Sequence, residues 1–162
     1  MLNIGIDFGS TYTSVSVYRR ETKQLEALSF NQDSPYIPSV AAFNGKKLEF
    51  GRSAKLHAGK KGVQVYKAFK MLLTETDEER LRLRGYGGEY TPARIAREFL
   101  EDLIHRALAR TGEERVSCLV IGAPEIWFQE VKTIVGRSVL RDLCLEIPEI
   151  DSVQVVSEPA AA

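Results

Sequence analysis

The segment Ile4-Gly5-Ile6-Asp7-Phe8-Gly9-Ser10-Thr11-Tyr12-Thr13-Ser14-Val15-Ser16-Val17 constrains this chain more than any other. Ile4 and Ile6, then Val15 and Val17, supply branched apolar residues at alternate positions, the pattern of two short strands. The turn between them concentrates a carboxylate, a glycine and hydroxyls. Gly9 lets backbone approach a ligand closely. The N–H groups from Gly9 to Tyr12, with the hydroxyls of Ser10 and Thr11, suit phosphate oxygens. Asp7, at the strand end, is placed to face a metal ion bound to those phosphates. An ordinary hairpin with a polar turn fits the same residues, and this stretch alone does not choose between the two.

The segment Val153-Gln154-Val155-Val156-Ser157-Glu158-Pro159-Ala160-Ala161-Ala162 is another apolar strand ending on an acid. Together the two segments resemble the nucleotide-binding domain of DnaK-type heat-shock chaperones, the seventy-kilodalton class, which shares a superfamily with actin and sugar kinases. Asp7-Phe8-Gly9-Ser10-Thr11-Tyr12 is similar to the family's opening Asp-Leu-Gly-Thr-Thr-Tyr turn. Ser157 to Ala162 is similar to the Asn-Glu-Pro-Thr-Ala-Ala-Ala run that closes its first lobe. Pro38-Ser39-Val40-Ala41-Ala42-Phe43, Lys70-Met71-Leu72-Leu73 and Val120-Ile121-Gly122-Ala123-Pro124 resemble further family landmarks, in the same order. The departures are Ser157 for Asn, Ala160 for Thr, Glu125 for a small residue, and a longer stretch from Asp142 to Asp151. With them the chain resembles a divergent member of the family.

The resemblance implies an α/β fold: a ribonuclease H-like, actin-type ATPase lobe with a mixed sheet, flanking helices and a small inserted subdomain. It implies that residues 1–162 are that N-terminal lobe, with about 36–112 as the peripheral insertion; the second lobe and the substrate domain are expected beyond this sequence. The implied ligands are ATP or ADP and magnesium. Gly9, Ser10, Thr11 and Tyr12 match the phosphate-binding turn. Asp7, Lys70 and Glu158 match the catalytic positions, with Asp7 holding magnesium through water. Lys70 reaches in from the insertion as an exposed or cleft-lining lysine, surface charge being the plain alternative. Pro124 matches the switch proline that relays nucleotide state, with a simple strand terminator as the plain alternative. Phosphoryl transfer needs charge neutralisation and an aligned nucleophile, and this set supplies both.

Local patterns predict strands at 3–8, 13–19, 25–30 and 38–43, and an Asn44-Gly45 turn into 46–50. A short helix is expected at 51–58, and 64–73 reads as helical or irregular. Thr91 as N-cap, Pro92 at the first position and Gly112 after the end frame a helix at 92–110. Its apolar stripe runs through Ile95, Phe99, Leu103 and Ala107. A strand at 116–123, a helix around 127–143 and a strand at 153–157 complete a parallel crossover. Trp127, Val131, Ile134, Val135 and Leu143 are its expected inward residues. Gly85-Tyr86-Gly87-Gly88 reads as a turn.

Composition bounds function. The 162 residues carry 22 basic and 22 acidic side chains, for a formal net charge of zero. That gives no electrostatic reason to expect nucleic acid or a membrane as partner. The N-terminus lacks the signature of a signal peptide, and a cytoplasmic location is expected. Cys118 and Cys144 lack metal-ligand spacing and read as buried reduced thiols. His57 and His105 are isolated in sequence. The function implied is the lobe of an ATP-hydrolysing chaperone, inactive alone, which meets client peptides, a co-chaperone and an exchange factor through the full-length protein. The alternatives are a lobe of a sugar kinase, or a non-catalytic adaptor that keeps the fold. Tyr12 and the 38–43 segment favour the chaperone, and no sugar-directed catalytic Asp can be placed.

Overall fold

The opening alternation folds into an antiparallel hairpin in a computed structural model that describes residues 1–30, 34–129 and 134–158. Strand β1 (Leu2–Phe8) pairs with β2 (Tyr12–Arg19), with Phe8 opposite Thr13 and Leu2 opposite Arg19. The even-numbered residues Leu2, Ile4, Ile6 and Phe8 point into the core, while Asp7 is exposed. β3 (Gln24–Leu28) continues the meander along β2, and β4 (Ile37–Pro38) pairs with the start of β2.

The chain then leaves this sheet. β5 (Ala41–Phe43), β6 (Leu48–Phe50) and β7 (Gln64–Tyr66) form a separate three-stranded antiparallel sheet in the order β6-β5-β7. Helix α1 (Arg52–His57) joins β6 to β7, and α2 (Glu78–Leu83) follows. The long helix α3 (Pro92–Thr111) has the framing its sequence predicts. Thr91 Oγ1 accepts from the Arg94 N–H at 3.1 Å, and Gly112 closes the end with φ of 73°. Ile95, Phe99, Leu103 and Ala107 are fully buried along its inner stripe.

β8 (Cys118–Ala123) returns to the first sheet beside β1 and parallel to it. Helices α4 (Ile126–Gln129) and α5 (Ile134–Leu145) lead to β9 (Val153–Ser157), parallel to β8. Among the described residues the large sheet has six strands, ordered β3-β2-β1-β8-β9 with β4 beside β2. The protein is thus α/β, with a mixed sheet and flanking helices.

Several elements differ from their sequence patterns. The 38–43 run splits at Ser39 between two sheets, because the Val40 N–H turns back to the Pro38 carbonyl at 2.9 Å. Residues 64–66 are a strand, since Val65 and Gln64 find partners in Ala42 and Phe43. α2 has no apolar period to announce it; its signal is Asp77, whose carboxylate caps the Glu79 and Arg80 N–H groups. The 127–143 helix is described as α4 and α5. Trp127 and Leu143 are buried as expected, while Val131 and the side chains of Ile134 and Val135 lie outside the described residues, as do Pro159 to Ala162. Gly136 is required by packing, because a Cβ there would lie 2.6 Å from the Trp127 indole.

Candidate functional site

β1, β8 and β9 run in one direction and stop at one sheet edge. Ile6 is opposite Ile121, Ile121 is opposite Val155, and Ala123 is opposite Ser157. Residues at or just past these strand ends therefore share that edge: Asp7 near the end of β1 and the turn after it, Pro124 after β8, and Glu158 after β9. Pro124 and Glu158 are half-buried there.

Lys70 reaches the same edge from the turn that follows β7. Its side chain is 2% exposed. The ammonium donates to the Phe8 carbonyl and to Glu158 Oε1, across 88 residues of sequence, and lies 5.5 Å from the centre of the Phe8 ring. Lys70 is therefore neither surface charge nor an exposed cleft lysine. A buried ammonium requires an anion and acceptors, and both are present. Lys67, its nearest rival, is exposed.

The backbone explains the placement. Ala68 adopts φ of 56°, the left-handed region that costs an L-residue about 1–2 kcal/mol. The bend drives Phe69 into the core, where its ring lies 5.9 Å from Phe8 and 5.2 Å from Phe99. Each such ring pair contributes about 0.5–1.5 kcal/mol beyond its buried area. Lys70 follows the anchor inward. The Lys67 carbonyl is held by the Tyr86 hydroxyl at 2.7 Å, and burial pushes that phenol well above its ordinary pKa.

The turn Gly9–Tyr12 leaves Ser10, Thr11 and Tyr12 exposed. Gly9 is needed for a reason internal to the turn: a Cβ there would lie 2.2 Å from the Tyr12 carbonyl oxygen. The Tyr12 ring meets Tyr36 edge-on, 6.4 Å between centres. Ser39 sits behind the turn, 3% exposed. Its hydroxyl donates to the Gly9 carbonyl at 2.7 Å and lies 2.8 Å from Thr13 Oγ1, and its N–H donates to the Thr11 carbonyl at 2.9 Å.

Sequence reasoning brought out Asp7, Gly9 to Tyr12, Lys70, Pro124 and Glu158, and the structure gathers them at one edge. It missed the Phe8 carbonyl, Ser39, Thr13 and Ala68. Ser39 left one signal, a polar residue inside the apolar run from Ile37 to Phe43.

Asp7 makes no ion pair among the described residues. No group of three or more His, Cys, Asp and Glu side chains that could hold a metal occurs among them either. Both cysteines are free. Cys144 is buried, and burial pushes its thiol up to about 12; Cys118, at the start of β8, is only half-buried. Among the described residues no helix is long and apolar enough to cross a membrane. No family model matches the chain, and no curated protein matches it.

Proposed function

We propose that the chain is the first lobe of a DnaK-like protein that binds and hydrolyses ATP, built on a ribonuclease H-like, actin-type fold. The observation that carries the reading is the meeting of Lys70 with Glu158 and the Phe8 carbonyl, at the edge that also presents Asp7 and the Gly9–Tyr12 turn. An ion pair kept only for stability is a weak use of a buried lysine, whose desolvation offsets much of its attraction. A cation held beside a hydroxyl-rich turn and an open carboxylate suits phosphate chemistry.

The residues fit a magnesium nucleotide. Asp7 is exposed and free of ion pairs among the described residues, so its oxygens are open to metal-bound water. Without a cluster of protein ligands among those residues, contact through water is the mode a single carboxylate offers. When bound, ATP supplies the phosphoryl group and magnesium neutralises its charge. The N–H groups and hydroxyls of Gly9, Ser10, Thr11 and Tyr12 hold phosphate oxygens. Lys70 and Glu158 orient the attacking water, the carboxylate accepting from it and the ammonium fixing the carboxylate. Pro124, at the end of the strand between β1 and β9, is placed to pass a change at this edge toward α4. Client peptides, a co-chaperone and an exchange factor are the partners this reading gives the full-length protein, which it places in the cytoplasm.

Single-turnover ATP hydrolysis by the full-length protein tests the reading. Lys70→Ala is expected to slow hydrolysis by about 10²–10³, the scale for one preorganised charge-stabilising group. Nucleotide affinity should change little. Hydrolysis by the variant at the wild-type rate would overturn the assignment.

A further inference from the structure

We propose that Ser39 is a positioning residue that shapes the Gly9–Tyr12 turn from behind. That the turn holds phosphate rests on the function proposed above; that Ser39 sets its shape does not.

The bonds at Ser39 reach both limbs of the turn. Its hydroxyl donates to the Gly9 carbonyl, where the chain leaves β1, and its N–H donates to the Thr11 carbonyl, where the chain enters β2. Pointing these carbonyls backward toward Ser39 turns the Ser10 and Tyr12 N–H groups away from it, since the N–H and C=O of one peptide unit point in opposite directions. The Thr13 hydroxyl, completely buried, completes the arrangement at 2.8 Å from Ser39 Oγ. Buried hydroxyls that satisfy one another and a carbonyl leave the group a single low-energy geometry.

Ser39 also stands where the chain passes from the large sheet to the small one. Pro38 still pairs with Tyr12, and Ala41 already pairs with Phe50 and Tyr66. A displacement of the small sheet is therefore transmitted to the Gly9 carbonyl through one side chain.

Amide hydrogen exchange and magnesium-ATP titration, both on the full-length protein, test this. In Ser39→Ala, exchange at the amide of position 39, which donates to Thr11, should rise about tenfold, the scale for one buried hydrogen bond. Amides of β1 and β8 should keep their protection. ATP affinity should fall by a similar factor, and Ser39→Thr, which keeps the hydroxyl, should restore both. Thr13→Val, which leaves the bond to Gly9, should give a smaller loss of the same kind. Unchanged exchange at position 39 would overturn the proposal. So would a uniform rise across the core strands, which is what a merely structural serine would give; a loosened turn with unaltered ATP affinity would bear out the role of Ser39 and overturn the phosphate role of the turn. If the wild-type protein binds no magnesium nucleotide, the phosphate reading falls, and the exchange result still decides whether Ser39 shapes the turn.

Discussion

Lys70 and Glu158 form one ion pair but differ in burial, and the difference sets the sign of a stability experiment. Lys70 is 2% exposed and Glu158 is 43% exposed. Removing the carboxylate with Glu158→Ala leaves a buried ammonium with the Phe8 carbonyl as its remaining acceptor. The lost charge-assisted bond is worth about 1.5–3 kcal/mol. Breaking a fully buried pair costs about 3–5 kcal/mol, an upper limit here because Glu158 is partly solvated. A loss of about 2–3 kcal/mol is expected. Lys70→Met removes the ammonium and keeps the apolar stem. It leaves the Phe8 carbonyl without its donor, at about 1–3 kcal/mol. It also abolishes the desolvation of the ammonium, several kcal/mol in the opposite direction. Glu158 regains water, so the net change should lie within about 1 kcal/mol of zero. In the Lys70→Met background, Glu158→Ala should then cost little, giving a coupling energy of about 2 kcal/mol. Urea unfolding of the wild type, both single variants and the double variant measures all of these terms, provided the m-value stays constant. A larger loss in Lys70→Met than in Glu158→Ala would refute the desolvation argument. A coupling below about 0.5 kcal/mol would refute the pair itself.

Other expectations follow from single positions. Gly9→Ala places a Cβ against the Tyr12 carbonyl and should cost about 1–3 kcal/mol as the turn opens, read as a fall in the urea midpoint; an unchanged midpoint would count against the turn geometry. Ala68→Gly relieves a left-handed alanine and should raise stability by about 0.5–1 kcal/mol; a lower melting temperature would mean that the bend is not strained. Burial raises the Asp102 carboxyl above its ordinary pKa, against the opposing pull of Arg106 and His105. The folded state therefore binds its proton more tightly than the unfolded state does. That contribution is present below the ordinary carboxylate value and is lost as pH rises through the raised one. Asp102→Asn should remove the fall in stability that comes as pH rises through this raised value, and urea midpoints that fall with pH as steeply as in the wild type would contradict it.

How much the sequence revealed depended on how local each cause was. α3 was legible because its cap, first-turn proline, apolar stripe and closing glycine all lie within its own length. β1, β2 and β9 were legible through branched residues at their cores, and the ends of β1 and β9 placed Asp7 and Glu158 correctly at a common edge. β7 was not legible, because three residues show no period and the strand exists only through Ala42 and Phe43. The split at Ser39 was hidden for a similar reason: the change of sheet depends on partners in β2 and β6. Lys70 was found by position but not by state. Its burial depends on Phe69 finding Phe99, on an alanine taking a glycine-like bend, and on an acid 88 residues away. Gly9 was identified for a different reason from the one the geometry supplies, since its own turn requires it before any ligand does.

Phe8 ties these levels together. Its side chain packs 6.0 Å from the Phe99 ring and 5.9 Å from Phe69, so it belongs to the contact between α3 and the large sheet. Its carbonyl receives the Lys70 ammonium, so its main chain belongs to the candidate site. Its neighbours Asp7 and Gly9 begin the carboxylate and the turn. A leucine here would fill the core but offer no ring to the ammonium. With phenylalanine, one residue supplies an apolar anchor for the segment that delivers Lys70, a π-face beside its charge, and an acceptor for one of its protons. The candidate site and the core thus share Phe8, whose ring packs against Phe69 and Phe99. Phe69→Leu, which removes one ring of this group, is therefore expected to lower stability, read as a fall in the urea midpoint, although it alters no residue at the sheet edge.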